Sequence, residues 1–564
     1  MHSLFRVYQE PGSHIPAYLI ESTALNNVDD KQDHKAQPPL ENLTELEPDQ
    51  AIDNIAEYLA QARHPEVVVF IHGFNSPQKT VLRLYASAFE VTANDKPIRE
   101  RAGLVCIGYR WPSERMGQPL ATSHAAAPAF LIGLFWSAVL FFALTLALTC
   151  LLRIEGRAWL HFAIYTLGWA LFFVPVVVAL LRLTVYFRDG YRATHYGVPD
   201  LVEVIRQLDR KVSESAAKHG RKIEYKNRVK LSFIGHSMGA FVVTNAVRIL
   251  SDVFSPPPVA SPVEDEDDVS VTQFLKQKGY LKKPGALNSG NAGKEAAPEI
   301  GASFTLARLV LVSPDIPAET LLSNRANFLA SSLRRFREAY LFSNGGDEVL
   351  RQVSPIANYF SFPTRSRDHG LRLGNTEVLA DCYGVANLKS LETKAGHIDE
   401  ESFLADLRVG RLTLQEMFNR IENEGQALMA LPQVFTYFDC TYYIENGIGV
   451  LTRARPKPRV SREDRLSRWD HGRLLLDYLP DQKPDVHAGY FNSEAILARQ
   501  LIFRIACLGL ADTLAAYHAE VSGANGSTLT PLEAFSNTCA GKQIKVVLSP
   551  LSFQSLQKRK KRTG

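Results

Sequence analysis

Not one charged side chain occurs between Met116 and Leu152, and within that segment Ala129 to Leu152 is almost wholly apolar. A short connector follows, Arg153-Ile154-Glu155-Gly156-Arg157, and then Ala158 to Leu181 is again free of charge. Each apolar stretch runs 24 residues, about 36 Å as a helix against about 30 Å of bilayer hydrocarbon. A pair of buried core helices or an apolar cap is the soluble alternative, but two such stretches back to back are hard to enclose in a soluble domain. The expectation is a transmembrane helical hairpin over 129–181. Trp159 sits at an expected interface, and Pro175 is tolerable where neighbouring helices satisfy the freed carbonyl. Arg110 and Arg115 precede the first span and Arg182, Arg188 and Arg192 follow the second, whereas Glu155 offsets Arg153 and Arg157 in the connector. The positive-inside bias then puts both flanks in the cytoplasm. The expected location is the inner membrane, with two spans, a lipid bilayer as partner and the remaining chain facing the cytoplasm.

Outside this segment the 564-residue chain has an ordinary globular make-up, 46% hydrophobic and 22% charged, which excludes a mainly disordered chain, a collagen-like fibre or a long coiled coil. Sixty-three basic against 59 acidic residues leave a net charge of +4, too balanced for a nucleic-acid binder that relies on a global positive field. Six cysteines with no CxxC spacing fit a reducing compartment better than a disulfide scaffold. Met1 to Ile20 lacks the basic start and apolar core of a secretory signal.

Short apolar runs, Val67 to Ile71, Leu104 to Tyr109, Val229 to Ile234, Leu309 to Val312, Ala339 to Phe342 and Val434 to Phe438, alternate with helix-like stretches. Runs of this length, rich in β-branched residues, read as strands buried on both faces. The alternation predicts an α/β fold with a doubly wound, mostly parallel sheet. Residues 1–46 read as N-terminal strands and a loose connection, 47–125 and 182–520 as the α/β domain, and 521–564 as a C-terminal extension. Residues 254–300, with Pro256-Pro257-Pro258 and the acidic run Glu264 to Asp268, read as a mostly disordered insertion. The tail Lys558-Arg559-Lys560-Lys561-Arg562 reads as a solvated end, with contact to a membrane surface as the sharper alternative.

The strongest chemical signal is Gly235-His236-Ser237-Met238-Gly239, placed after the run Leu231 to Ile234 and before the helix-like Ala240 to Leu250. G-x-S-x-G alone is a weak pattern, but between strand and helix it describes a sharp turn that lifts a serine hydroxyl clear of the backbone. Gly235 and Gly239 avoid the Cβ clashes of such a turn, and the helix start offers the Met238 N–H to an oxyanion. A second signal, His72-Gly73-Phe74-Asn75, follows another buried strand. There Gly73 permits close approach and the Phe74 N–H is the natural second oxyanion donor. His72 reads as a structural loop residue rather than as the base.

With Trp111-Pro112-Ser113, Tyr186-Phe187-Arg188-Asp189-Gly190 and Ser313-Pro314-Asp315-Ile316, these segments resemble a bacterial α/β-hydrolase family with esterase-like motifs. The resemblance spans roughly Val67 to Asp347 and implies a doubly wound sheet and a serine nucleophile. The hairpin after Trp-Pro-Ser departs from soluble members.

Ser237 needs an acid and a histidine, in the chain order Ser, Asp or Glu, His. Asp347 follows Ala339 to Phe342 through Ser343-Asn344-Gly345-Gly346, although it also suits an N-cap for the helix that begins at Glu348. Asp315 is the rival acid. For the base, His487 lies between the last strand-like run and the helix-like Ser493 to Ile502, with His397 second. No HExxH, no clustered His/Cys set and no phosphate loop occurs, so no metal or cofactor is expected. The expected function is a membrane-anchored serine hydrolase acting on an ester or thioester, with a small-molecule or lipid-like acyl substrate. An amidase or peptidase on the same fold, and a catalytically inactive, membrane-tethered interaction module, are the alternatives.

Overall fold

The computed structural model describes residues 4–11, 14–24, 43–113, 186–224, 227–253, 299–322, 335–356, 371–380, 382–389, 406–410, 412–423, 435–449, 468–478, 486–525 and 529–563, with a few single positions between them. Nearly all of the hairpin expected over 129–181, nearly all of the 254–300 insertion and His397 lie outside the described residues. Among the described residues, no helix is long and apolar enough to cross a membrane.

Twelve strands form one sheet. In chain order they are β1 (Phe5–Gln9), β2 (Ala17–Ser22), β3 (Thr44–Leu46), β4 (Glu66–Ile71), β5 (Leu104–Arg110), β6 (Val229–His236), β7 (Glu299–Ile300), β8 (Phe304–Val312), β9 (Glu338–Ser343), β10 (Gly384–Val385), β11 (Phe435–Asp439) and β12 (Lys545–Val547). The spatial order is β10-β12-β11-β9-β8-β6-β4-β5-β2-β1-β3, with β7 beside β8. Every pairing from β2 across β5, β4, β6, β8 and β9 to β11 is parallel. The strands β4, β5 and β8 are buried at every residue, as parallel strands covered on both faces must be.

Helices Pro48–Gln61 and Met238–Val253 both pack against Val198–Lys218, and Gln78–Asn94 packs against Ile496–Leu508. The helix Pro48–Gln61 shows the local logic. Glu47 caps its Asp49 and Gln50 amides at 2.9 and 3.2 Å, a proline opens it, and Ile52, Ile55, Ala56 and Leu59 form its buried stripe. From β4 the chain moves outward to β5 and then returns past β4 to β6. The strand order therefore reverses between β4 and β6, and the crevice beyond their carboxyl ends is where such sheets place a site.

A buried ionic cluster ties the opposite end of the sheet together. Glu66, at the start of β4, pairs with Arg308 of β8 and with Arg101, and accepts from Ser232 Oγ at 2.9 Å. Arg308 also donates to the carbonyls of Ala506 (2.9 Å) and Cys507 (3.2 Å), at the carboxyl end of helix Ile496–Leu508. A cation there complements the helix dipole. The sheet extends beyond the expected limits. Lys545–Val547 pairs antiparallel with β11 and parallel with β10, so part of the segment read as an extension is integral, and β11 is not the last strand. Five cysteines, Cys106, Cys382, Cys440, Cys507 and Cys539, are free thiols.

Candidate active site

Ser237 follows β6 directly and precedes helix Met238–Val253. Its φ of +52° lies in the left-handed region, which costs a non-glycine residue on the order of 1 kcal/mol or more. Neighbouring backbone holds the bend. The Ser237 N–H donates to Val312 O at 3.0 Å, and Ser237 O accepts from Ala240 N (3.0 Å) and Asp315 N (3.1 Å). The flanking glycines are required by proximity. A Cβ on Gly239 would stand 2.4 Å from Ile71 O, one on Gly235 would stand 2.7 Å from Ala240 Cα, and one on Gly73 would stand 2.9 Å from Ser237 Cβ. The loop after β4 thus runs directly beside the serine.

His487 Nε2 lies 2.6 Å from Ser237 Oγ, and His487 Nδ1 lies 2.6 Å from Asp347 Oδ2. A carboxylate only accepts, so Nδ1 carries the proton and Nε2 presents its lone pair to the serine hydroxyl. Asp347 is fully buried behind the imidazole. Its other oxygen, Oδ1, accepts from Leu350 N at 3.2 Å, so one carboxylate serves both as the histidine's partner and as a helix cap. Asn375 fixes the loop that carries Asp347, donating from Nδ2 to the carbonyls of Asn344 and Gly345, both at 3.1 Å.

Asp315 is turned elsewhere. Its Oδ1 pairs with Arg372 Nε at 3.0 Å and accepts from Ser354 Oγ. His236, next to the serine, donates from Nε2 to the backbone carbonyl of His487 at 3.1 Å and packs its ring 5.1 Å from the His487 ring. Burial, with the nearby His487 charge as a smaller cause, pushes its pKa down to about 3. His236 is therefore a neutral prop rather than a second base.

His72 is fully buried and stacked on Trp111 at 5.2 Å with the rings nearly coplanar in tilt. Burial, and then the Arg110 charge, lower its pKa to about 3. Its Nδ1 donates to Gly73 O at 2.7 Å, and its carbonyl accepts from Trp111 Nε1 at 2.9 Å. A trans peptide points its C=O and N–H in opposite directions, so holding Gly73 O also fixes where the Phe74 N–H aims. The Phe74 ring lies 6.1 Å from the His487 ring and meets Tyr186 edge-on at 5.7 Å. Met238 opens its helix, where no carbonyl of that helix can accept its N–H.

Of the residues expected at the site, the structure brings together Ser237, His487, Asp347, Gly73, Gly235 and Gly239, with Phe74 and Met238 alongside and His72 holding the Gly73 carbonyl; Asp315 stands apart. The contribution of Asn375 carried no sequence signal, and His236 stood beside the serine in its motif with no part assigned. Trp111, Ser113 and Asp189 stood in quoted motifs but had no assigned part. Comparison of the chain with family models, curated proteins and solved structures yields no match.

Proposed function

We propose that this chain is a serine hydrolase of the α/β-hydrolase kind, cleaving a carboxylic ester or thioester. The carrying observation is the continuous relay Ser237 Oγ, His487, Asp347, with both contacts at 2.6 Å, on a serine held at positive φ between strand and helix. The motif resemblance and the chain order Ser, Asp, His point the same way.

Ser237 is a weak nucleophile until its proton has an acceptor. In attack, Oγ bonds to the acyl carbon as His487 Nε2 takes the hydroxyl proton, and Asp347 stabilises the resulting imidazolium. The carbonyl oxygen becomes an oxyanion, received by the Phe74 and Met238 amides; one such donor is typically worth about 3–4 kcal/mol. Collapse breaks the bond to the leaving oxygen or sulfur, which takes the proton from His487. Water then attacks the acyl-serine with His487 again as base, releasing the acid and restoring Ser237.

The two charge-free stretches support placement at the inner membrane with the hydrolase domain in the cytoplasm, which would bring a lipid-like acyl substrate within reach. One observation favours a different reading: Ser237 has no exposed surface. A substrate reaches it only if covering groups move, and a site that never opens suits a tethered interaction module. Turnover of a p-nitrophenyl ester decides between them. Wild type is expected to be active, and Ser237→Ala to lose on the order of 10⁶-fold in kcat with an unchanged thermal midpoint. An inactive wild type, or equal turnover in the variant, rejects the hydrolase reading.

A further inference from the structure

Asp189 is fully buried, yet it touches neither Ser237 nor His487. Its Oδ2 accepts from the Asn75 amide and from Ser113 Oγ, both at 2.8 Å. The Ser113 oxygen in turn accepts from the Ser76 amide at 3.1 Å. The other carboxylate oxygen faces Arg188 (3.2 Å from Nε, 3.1 Å from Nη2) and Arg192 (3.8 Å). Two successive amides, those of Asn75 and Ser76, are thus gathered onto one carboxylate and one hydroxyl. Ser76 Oγ closes the turn by donating to Phe74 O at 3.1 Å.

The residue so enclosed is Phe74. Its amide side is fixed through Gly73 O by His72. Its carbonyl side is fixed by Ser76 and by the Asn75 amide, with Asn75 itself held at a φ of +55°. A neutral residue at 189 would remove the strong acceptor that stabilises this left-handed turn, because charge-assisted bonds to backbone N–H groups are about twice as strong as neutral ones. The two arginines balance the charge of the buried carboxylate.

Resting on the hydrolase reading above, we infer that Asp189, acting through Ser113 and the Asn75 and Ser76 amides, is a positioning residue for the Phe74 oxyanion donor. It assists the step in which negative charge develops on the acyl oxygen, and it takes no part in proton transfer. This accounts for three motif fragments at once: Trp-Pro-Ser supplies the hydroxyl, the Arg-Asp pair supplies the carboxylate, and His-Gly-Phe-Asn supplies the loop they hold.

The test uses full-length protein, with active sites counted by the end-point of fluorophosphonate labelling so that misfolded material is excluded. Asp189→Asn is expected to lower kcat per titrated site on the order of 10²-fold, with KM within about threefold and the midpoint of the pH–rate profile unmoved, because the His487–Asp347 pair is untouched. Ser113→Ala, a smaller perturbation that guards against a fold failure in the first variant, is expected to lose about tenfold in the same pattern. If both variants lose only titratable sites and keep wild-type kcat per site, the role is structural and the inference is overturned. A shifted pH midpoint overturns it too, by pointing to the histidine. A wild type with no turnover removes the hydrolase reading itself, whereas active wild type, inactive Ser237→Ala and unaltered Asp189→Asn removes the positioning role alone.

Discussion

Asp347 and Asp315 were rival acids in the sequence, and only geometry separates them. Asp347 reaches His487 at 2.6 Å while also capping Leu350; Asp315 is matched to Arg372. Their amide variants should therefore fail differently. Asp347→Asn is expected to lower kcat by about 10⁴-fold through loss of the histidine tautomer. Asp315→Asn should leave the buried Arg372 uncompensated, costing about 3–5 kcal/mol in urea unfolding while kcat per titrated site changes less than about threefold. The two neutral histidines set an acid limit. His72 and His236 sit at about 3 in the folded chain against an ordinary 6.5. As pH drops below 6.5 the unfolded chain takes up protons that the folded chain refuses, so stability is complete above that pH and falls toward 3, by up to about 1.4 kcal/mol per pH unit for each residue. Urea titrations at several pH values should show this slope, and His72→Gln should flatten it; a slope identical in variant and wild type would contradict the assignment. At this scale Ser237 was legible as the candidate nucleophile because its turn requires glycines at 235 and 239. Asn375 was not, since its service is a contact between two loops with no periodicity to mark it.

At the scale of elements, the central strands were legible because burial on both faces replaces alternation with unbroken apolar runs, as in Val67 to Ile71. Their bounds differ from expectation mostly where polar residues belong to the strand. Arg308 lies inside β8 because its guanidinium serves Glu66 and a helix end, so the expected strand began one residue after it. The strands β10 and β12, at one end of the sheet, have two and three residues, too short to show a pattern. The Glu66 cluster joins β4, β8 and helix Ile496–Leu508. Glu66→Ala leaves the buried Arg308 and the partly buried Arg101 without their partner and is expected to cost about 3–5 kcal/mol, read as a lower urea midpoint. A loss below about 1 kcal/mol would show that the cluster does not anchor these elements.

For the whole molecule, the parallel sheet places Ser237, Asp347 and His487 at the carboxyl ends of β6, β9 and β11 or in the loops beyond them, although His487 is 250 residues from the serine. The charge-free stretches make a separate claim. Full-length protein should stay with the membrane through high-salt and alkaline washes and come off only in detergent; recovery in the soluble fraction would contradict the anchor without touching the site. The chemistry of Ser237 is tested most directly by treating native full-length protein with a fluorophosphonate and locating the adduct by peptide mass spectrometry. One adduct is expected, on Ser237, absent from Ser237→Ala and formed far more slowly in His487→Ala. Folded protein that stays unlabelled, or that carries the label on another residue, would show that the relay does not activate this serine.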